Sequence, residues 1–316
     1  MDRKLAVVAI GGNSLIKNRY KRTVEDQTLA LAESVEYIVD LIELDYRVVI
    51  SHGNGPQVGF IMLRSEIARK EAGLHIVPLE IAVADTQGSI GHQIELTLNN
   101  ALVNRGLEPR CISMVAQVKV DKEDPGFLNP QKPVGEFYTG KQLRELKAQH
   151  PDWVLKEDAN RGWRRVVASP FPKAILEIEV VSLLVEAGYY PVTCGGGGIP
   201  VIEKDKGLIG VEAVIDKDLT SCLLGNELGA ELLIISTAVE HVMLNFGKPN
   251  ETPVMRMTTR EAERYIKEGH FAPGSMLPKI QAALKFLKAG GKKVIITAPE
   301  FIKKAVLNGS GTHIVA

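Results

Sequence analysis

Aromatic residues are scarce, at 5% of the chain, and cysteine is scarcer, with three in 316 residues. Cys111, Cys194 and Cys222 are far apart, odd in number and set in apolar contexts. They read as buried thiols, not as a disulfide framework or a metal site. Net charge is missing as well: 38 Lys plus Arg balance 38 Asp plus Glu. Without a basic excess or stripe, nothing marks nucleic acid as a partner. No apolar run approaches the ~18 residues of a membrane span, and Leu5–Ile10 is too short for a secretory core. A cytoplasmic protein without a membrane partner is expected. Two familiar phosphate-binding fingerprints are also absent. No segment matches G-x-x-x-x-G-K-[ST], and after Gly53-Asn54-Gly55 the sixth position of G-x-G-x-x-G is Val58, with Gly59 one residue too late.

What remains is an ordinary globular balance, 45% apolar and 24% charged, enough for one large α/β domain or two modest lobes. Leu5–Ile10 is a continuous apolar run that stops at Gly11-Gly12, as suits a parallel strand covered on both faces. Thr23 can cap a helix running to about Leu44, in which Val24, Leu31, Val35, Ile38 and Ile42 form one stripe. Arg47-Val-Val-Ile-Ser51 reads as a second strand and 111–117 as a third, with helices across 57–71 and 79–104. From 118 to 172 the chain turns polar, with six prolines, two tryptophans and no clean period. That is too long for a structureless loop and predicts a small inserted, protruding, antiparallel subdomain within a single domain spanning 1–316. Regularity returns with a helix over 173–187 and a strand over 190–194. Further strands are expected at 231–236, Lys293–Thr297 and Thr312–Val315, with helices near 217–228, 258–268, 278–289 and 299–307. Strands alternating with helices predict a mostly parallel sheet with helices on both faces.

Three strands end in glycine-rich turns: Gly11-Gly12-Asn13-Ser14, His52-Gly53-Asn54-Gly55-Pro56 and the run 195–198. In an open parallel sheet, ligands bind beyond the carboxyl ends of the strands. Glycines there let backbone N–H groups approach an anion, and the following helix N-terminus adds partial positive charge. One such turn merely ends a strand; three on one sheet edge point to phosphate or another anion.

Longer blocks carry a specific resemblance. Val8-Ala-Ile-Gly-Gly-Asn-Ser14, Ser51-His-Gly-Asn-Gly-Pro-Gln-Val-Gly59 and Gly210-Val-Glu-Ala-Val-Ile-Asp-Lys-Asp-Leu219 resemble the amino-acid kinase superfamily. Asn129-Pro-Gln-Lys-Pro-Val-Gly135, Gly162-Trp-Arg-Arg-Val-Val167, Cys194-Gly-Gly-Gly-Gly-Ile-Pro200 and Gly269-His-Phe-Ala-Pro-Gly-Ser-Met276 with Lys279 narrow it to the carbamate kinases. These blocks run in order along nearly the whole chain. The resemblance implies a three-layer α/β/α sandwich on a mostly parallel sheet of about eight strands, a protruding subdomain and a homodimer. It implies Mg²⁺ with ATP or ADP, and reversible transfer between ATP and carbamate giving ADP and carbamoyl phosphate. In many relatives the useful direction makes ATP at the end of arginine breakdown by the deiminase route.

Carbamate is already anionic, so its oxygen needs no general base, and the sequence offers no evident His–Asp pairing. Such a reaction needs charge neutralisation and in-line placement of two anions. Lys132 lies in a Pro-bracketed stretch where a lysine is ordinarily solvated; the resemblance makes it a cation reaching over the transferred group. Lys217, between Asp216 and Asp218, equally fits a surface helix start. By resemblance Lys217 touches the transferred phosphate, Asp218 holds the lysines, and Lys279 binds the nucleotide phosphates. Gly11, Gly12 and Asn13 are expected to cradle that phosphate, Gly53, Asn54 and Gly55 to hold carbamate, and Gly195 and Gly196 to lie beside the nucleotide. No metal ligand is expected among protein side chains. His52 and His270 read as local hydrogen-bonding residues.

Overall fold

The computed structural model describes residues 3–12, 23–157 and 162–316. The N-terminal half runs β1 (Leu5–Ile10), α1 (Val24–Glu43), β2 (Arg47–His52), α2 (Gly55–Ala72), α3 (Leu79–Asn104) and β3 (Cys111–Ser113). Thr23 starts α1 through a reciprocal capping box with Asp26, worth about 1 kcal/mol. The middle holds β4 (Gln117–Val120), α4 (Pro125–Leu128), β5 (Lys132–Tyr138), α5 (Leu143–Gln149), β6 (Val154–Glu157), β7 (Trp163–Val167) and β8 (Pro172–Ile175). The C-terminal half adds α6 (Ile178–Glu186), β9 (Tyr190–Val192), β10 (Ile199–Lys204), β11 (Gly207–Gly210), α7 (Lys217–Glu227) and β12 (Leu232–Ser236). It closes with β13 (Val242–Leu244), β14 (Thr252–Val254), β15 (Arg256–Thr258), α8 (Thr259–Lys267), α9 (Met276–Lys288), β16 (Lys293–Thr297), α10 (Ile302–Asn308) and β17 (Thr312–Val315).

The main sheet has eight strands in the order β15-β17-β16-β12-β1-β2-β9-β3, parallel except where β17 meets β16. Alternation along the strands explains the three layers. Leu5 and Val7 of β1, Leu233 and Ile235 of β12, and Val294 and Ile296 of β16 pack with α6, α7 and α9. Ala6 and Val8, Leu232 and Ile234, and Ile295 pack on the other face with α1, α3 and α10. Both faces are dry, so these strands read as continuous apolar runs instead of alternating ones. All three cysteines are buried, and burial pushes their thiols up, as expected for inert packing residues.

Two expectations need correction. The strand over 111–117 is two strands: β3 ends at Ser113 and edges the main sheet, while β4 begins at Gln117 in a separate sheet, β11-β10-β4-β8. The helix over 173–187 starts only at Ile178 because Pro172–Ile175 pairs antiparallel with β4. The Glu177 carboxylate then accepts from the Gln117 N–H at 2.8 Å, so tertiary pairing overrides the local helical pattern. Between β4 and β8, strands β5, β7 and β6 form an antiparallel three-stranded sheet. Polar and apolar contacts tie it to the main body, with Val134 and Val167 packed among Val58 and Met62 of α2 and Leu79 and Val83 of α3. Arg165 of β7 pairs with Glu212 at 2.8 Å, and the Val214 N–H donates to the Ala168 carbonyl.

Candidate active site

The carboxyl ends of β1, β2 and β9 lie side by side, so their glycine turns form one rim. The Gly53 N–H donates to the Ile10 carbonyl at 3.0 Å, stitching the second turn to the first. Gly11 must stay without a side chain: a Cβ there would sit 2.6 Å from the Ser236 carbonyl oxygen at the end of β12. The third turn folds over the second. Gly196 has φ of +67°, and a Cβ on it would meet the Asn54 amide nitrogen at 2.2 Å, so both the conformation and the space require glycine.

Asn54 caps α2 without a side-chain cap bond; its amide donates instead to Thr86 Oγ1 at 3.0 Å. The first turn of α2 therefore presents its N-terminal end beside Gly12 without its own cap side chain covering it. Gln87 fixes the third turn by donating to the Gly195 and Ala116 carbonyls at 3.1 Å each. His52 is fully buried, and burial pulls its imidazole down to about 4; a bond from Nδ1–H to the Gly53 carbonyl opposes this, and Lys217 adds to it. At neutral pH it is an uncharged hydrogen-bonding residue, as expected.

The N-terminus of α7 closes the rim. Asp216 caps it, Oδ1 accepting from the Asp218 N–H at 2.9 Å. Thr220 Oγ1 donates to the Gly197 carbonyl at 2.8 Å, and Ser221 Oγ lies 2.6 Å from Ser51 Oγ. Lys217 Nζ donates to the Ala9 carbonyl at 3.3 Å, next to the first glycine turn. It also lies 3.0 Å from Asp218 Oδ1, while Lys279 of α9 donates to Asp218 Oδ2 at 2.7 Å. Burial by itself would push the Asp218 carboxyl up, but Lys217 and Lys279 outweigh it and hold the group well below the ordinary carboxylate range. Burial pulls the Lys217 ammonium down, with Asp218 the strongest influence opposing it. Lys132, at the start of β5, reaches Asp216 Oδ2 at 2.7 Å.

Three lysines from separate stretches of chain thus meet two carboxylates at one helix start. Gly11, Gly12, Gly53, Asn54, Gly55, Gly195 and Gly196 lie on the same rim. Gly195 and Gly196 pack on His52 and Asn54 of the second turn. Asn13 lies outside the described residues. Sequence reasoning passed over Asp216, which is visible only as a neighbour of Lys217, and Thr86 and Gln87, which carry no motif signal. It also missed Glu212, which accepts from the Leu79 N–H at 3.0 Å as well as pairing with Arg165. Among the described residues no helix is long and apolar enough to cross a membrane. No cluster of three His, Cys, Asp or Glu able to hold a metal occurs among them either.

The model of the amino acid kinase family matches residues 4–298. The carbamate kinase-like protein YahI of Escherichia coli (strain K12) is 48% identical over 314 residues, 99% of each chain. A carbamate kinase of Pyrococcus horikoshii is 44% identical over 98% of each chain. The structure of carbamate kinase from Giardia lamblia bound to AMP-PNP superposes with a TM-score of 0.92 at 37% identity, covering 99% of this chain and 98% of that one.

Proposed function

We infer the activity from one premise: this chain belongs to the amino acid kinase family, and within it to the carbamate kinases. It is an ATP-dependent phosphotransferase that moves a phosphoryl group reversibly between ATP and carbamate, with ADP and carbamoyl phosphate as the other pair. The observation that carries this reading is the meeting of Lys132, Lys217 and Lys279 on Asp216 and Asp218 beside the glycine rim. A carbamate oxygen attacks the γ-phosphorus, the bond from that phosphorus to the ADP oxygen breaks, and ADP leaves as the anion. No proton has to be removed, which suits a site whose buried histidine is neutral. The chemistry asks only for positioning and for cations around the transferred group.

In this reading Lys217 and Lys132 contact the transferred phosphoryl group, Lys279 contacts the nucleotide phosphates, and Asp218 holds Lys217 and Lys279 in place. Gly11, Gly12 and Asn13 cradle the phosphoryl group, the role of Asn13 resting on the resemblance. Gly53, Asn54 and Gly55 hold carbamate by backbone N–H groups at the start of α2, and Gly195 and Gly196 border the nucleotide. Mg²⁺ arrives as part of the nucleotide substrate. Asp216 and Asp218 are already engaged by lysines, so the nucleotide's own oxygens carry the ion. We read 118–172 as a subdomain that brings Lys132 over the site, and the chain as a cytoplasmic homodimer that makes ATP in arginine catabolism.

The deciding experiment is the reverse reaction: purified protein, Mg²⁺, ADP and carbamoyl phosphate, with ATP read by a coupled assay. Steady ATP formation is expected. Absence of ATP alongside turnover of acetylglutamate or UMP would move the chain to another acceptor in the family.

A further inference from the structure

We propose that Asp216 is a positioning residue for phosphoryl transfer, holding the Lys132 ammonium in place from the N-terminus of α7. The inference rests on the reading of Lys132 as a cation that contacts the transferred group.

A lysine on four rotatable bonds is a poor catalytic group unless something restricts it. Lys132 has such a restraint. Its backbone pairs with Val167 inside the antiparallel sheet, and its ammonium donates to Asp216 Oδ2 at 2.7 Å across 84 residues of sequence. The anchor is itself fixed. Asp216 Oδ1 is taken by the Asp218 N–H, so the carboxylate cannot rotate freely and its second oxygen faces the lysine. The helix behind it is pinned to the glycine rim through Thr220 and Ser221.

The stoichiometry of donors also fits. An ammonium has three N–H groups; one bound to Asp216 leaves two for phosphoryl oxygens. The neighbouring carboxylate, Asp218, is occupied by Lys217 and Lys279. The tripeptide Asp216-Lys217-Asp218 thus divides three cations between two acids, and Lys132 falls to Asp216. Its side chain remains 31% exposed, against 12% for Lys217, so it is the member of the trio with most freedom to lose if the anchor is removed.

A purely structural cap and a positioning residue differ in one substitution. Asparagine caps a helix about as well as aspartate, but with its oxygen on the Asp218 N–H it turns an NH2 donor, not an acceptor, toward the lysine that now sits on Oδ2, and it carries no charge. Asp216→Asn, Lys132→Ala and the double variant are compared with wild type. The measurements are thermal melting, steady-state kinetics with ADP, carbamoyl phosphate and Mg²⁺, and the rate at which an amine-reactive ester labels Lys132 in substrate-free protein. Asp216→Asn is expected to melt like wild type, to lose about tenfold in kcat with a smaller change in KM, the size of a lost charge-assisted bond, and to label faster at Lys132. In the Lys132→Ala background it should add no further loss. Wild-type kcat in Asp216→Asn, or the same loss with and without Lys132, overturns the proposal. If wild type itself makes no ATP, the reading of the function fails instead. The labelling arm then decides the pair: faster labelling in Asp216→Asn supports it, and an unchanged rate overturns it.

Discussion

Asp218→Asn isolates the electrostatics that hold the site together. The carboxylate is 3% exposed and faces two ammonium groups at 2.7 and 3.0 Å. Each attraction is roughly 5 kcal/mol at an effective dielectric of ~20, and most of it is spent on taking three charges out of water. Replacing the carboxylate with an isosteric amide leaves Lys217 and Lys279 in place with no counter-charge between them. Removing one partner of a buried pair costs about 3–5 kcal/mol. The lower end applies here, because both lysines keep some contact with water and the amide oxygen can still accept one bond. A loss of about 3 kcal/mol in a chain of this size lowers the melting temperature by roughly 6 °C.

The pH dependence supplies the stricter test. Burial already depresses Lys217 below its ordinary 10.5, and Asp218 is the strongest influence raising it back, so the variant depresses it further. Between the folded value and 10.5 the unfolded chain binds a proton that the folded chain does not, so stability rises with pH across that window. The deficit of Asp218→Asn relative to wild type is therefore largest at pH 7 and narrows as pH climbs toward 10.5. Scanning fluorimetry at pH 7 and pH 9.5 reads both quantities. A melting temperature within about 2 °C of wild type at pH 7, or a deficit that ignores pH, refutes the reasoning.

Three further outcomes are expected. His52 is depressed from 6.5 to about 4, so the unfolded chain takes up its proton first as pH falls. Stability is lost between pH 6.5 and about 4, and His52→Gln should flatten the melting curve's slope in that interval, measured by a melting series in acid. Gly196→Ala forces a Cβ to within 2.2 Å of the Asn54 amide at φ of +67°; it should cost roughly 1–3 kcal/mol in urea unfolding and lower kcat/KM by displacing Asn54 from Thr86. Glu212→Ala removes both the acceptor for the Leu79 N–H and the partner of Arg165. The loss should be about 1 kcal/mol, a cap's worth and little more, with tryptophan fluorescence changing as Arg165 leaves the face of Trp153.

Much of the main sheet was legible because its strands announce themselves twice, by apolar runs and by the glycines that stop them. Leu5–Ile10 and Arg47–His52 follow that pattern, and both are buried on two faces. The helix over 79–104 was readable to its ends, since twenty-six residues of α3 average out local noise. Short elements were less readable. Pro172–Ile175 has the composition of a helix start and becomes a strand only because Val118 and Lys119 offer free ladder positions. That information lies more than fifty residues away and leaves no mark on the segment itself.

The site divides along the same line. The tripeptide Asp216-Lys217-Asp218 places three charges on successive positions at a helix start, each turned by about 100° from the last. Geometry alone therefore says that the two acids look in different directions, but not toward what. Asp218 meets a lysine from α9, 61 residues further on, and Asp216 meets one from β5, 84 residues back. Which acid serves which lysine is decided by how α9 and the β5 sheet are seated against α7, a property of packing that no window of sequence contains. Exchanging the two acids' surroundings would leave the motif intact and the chemistry disassembled. The fold's contribution to this site is thus the division of its cations, with the two most buried lysines on one carboxylate and the lysine carried by β5 on the other.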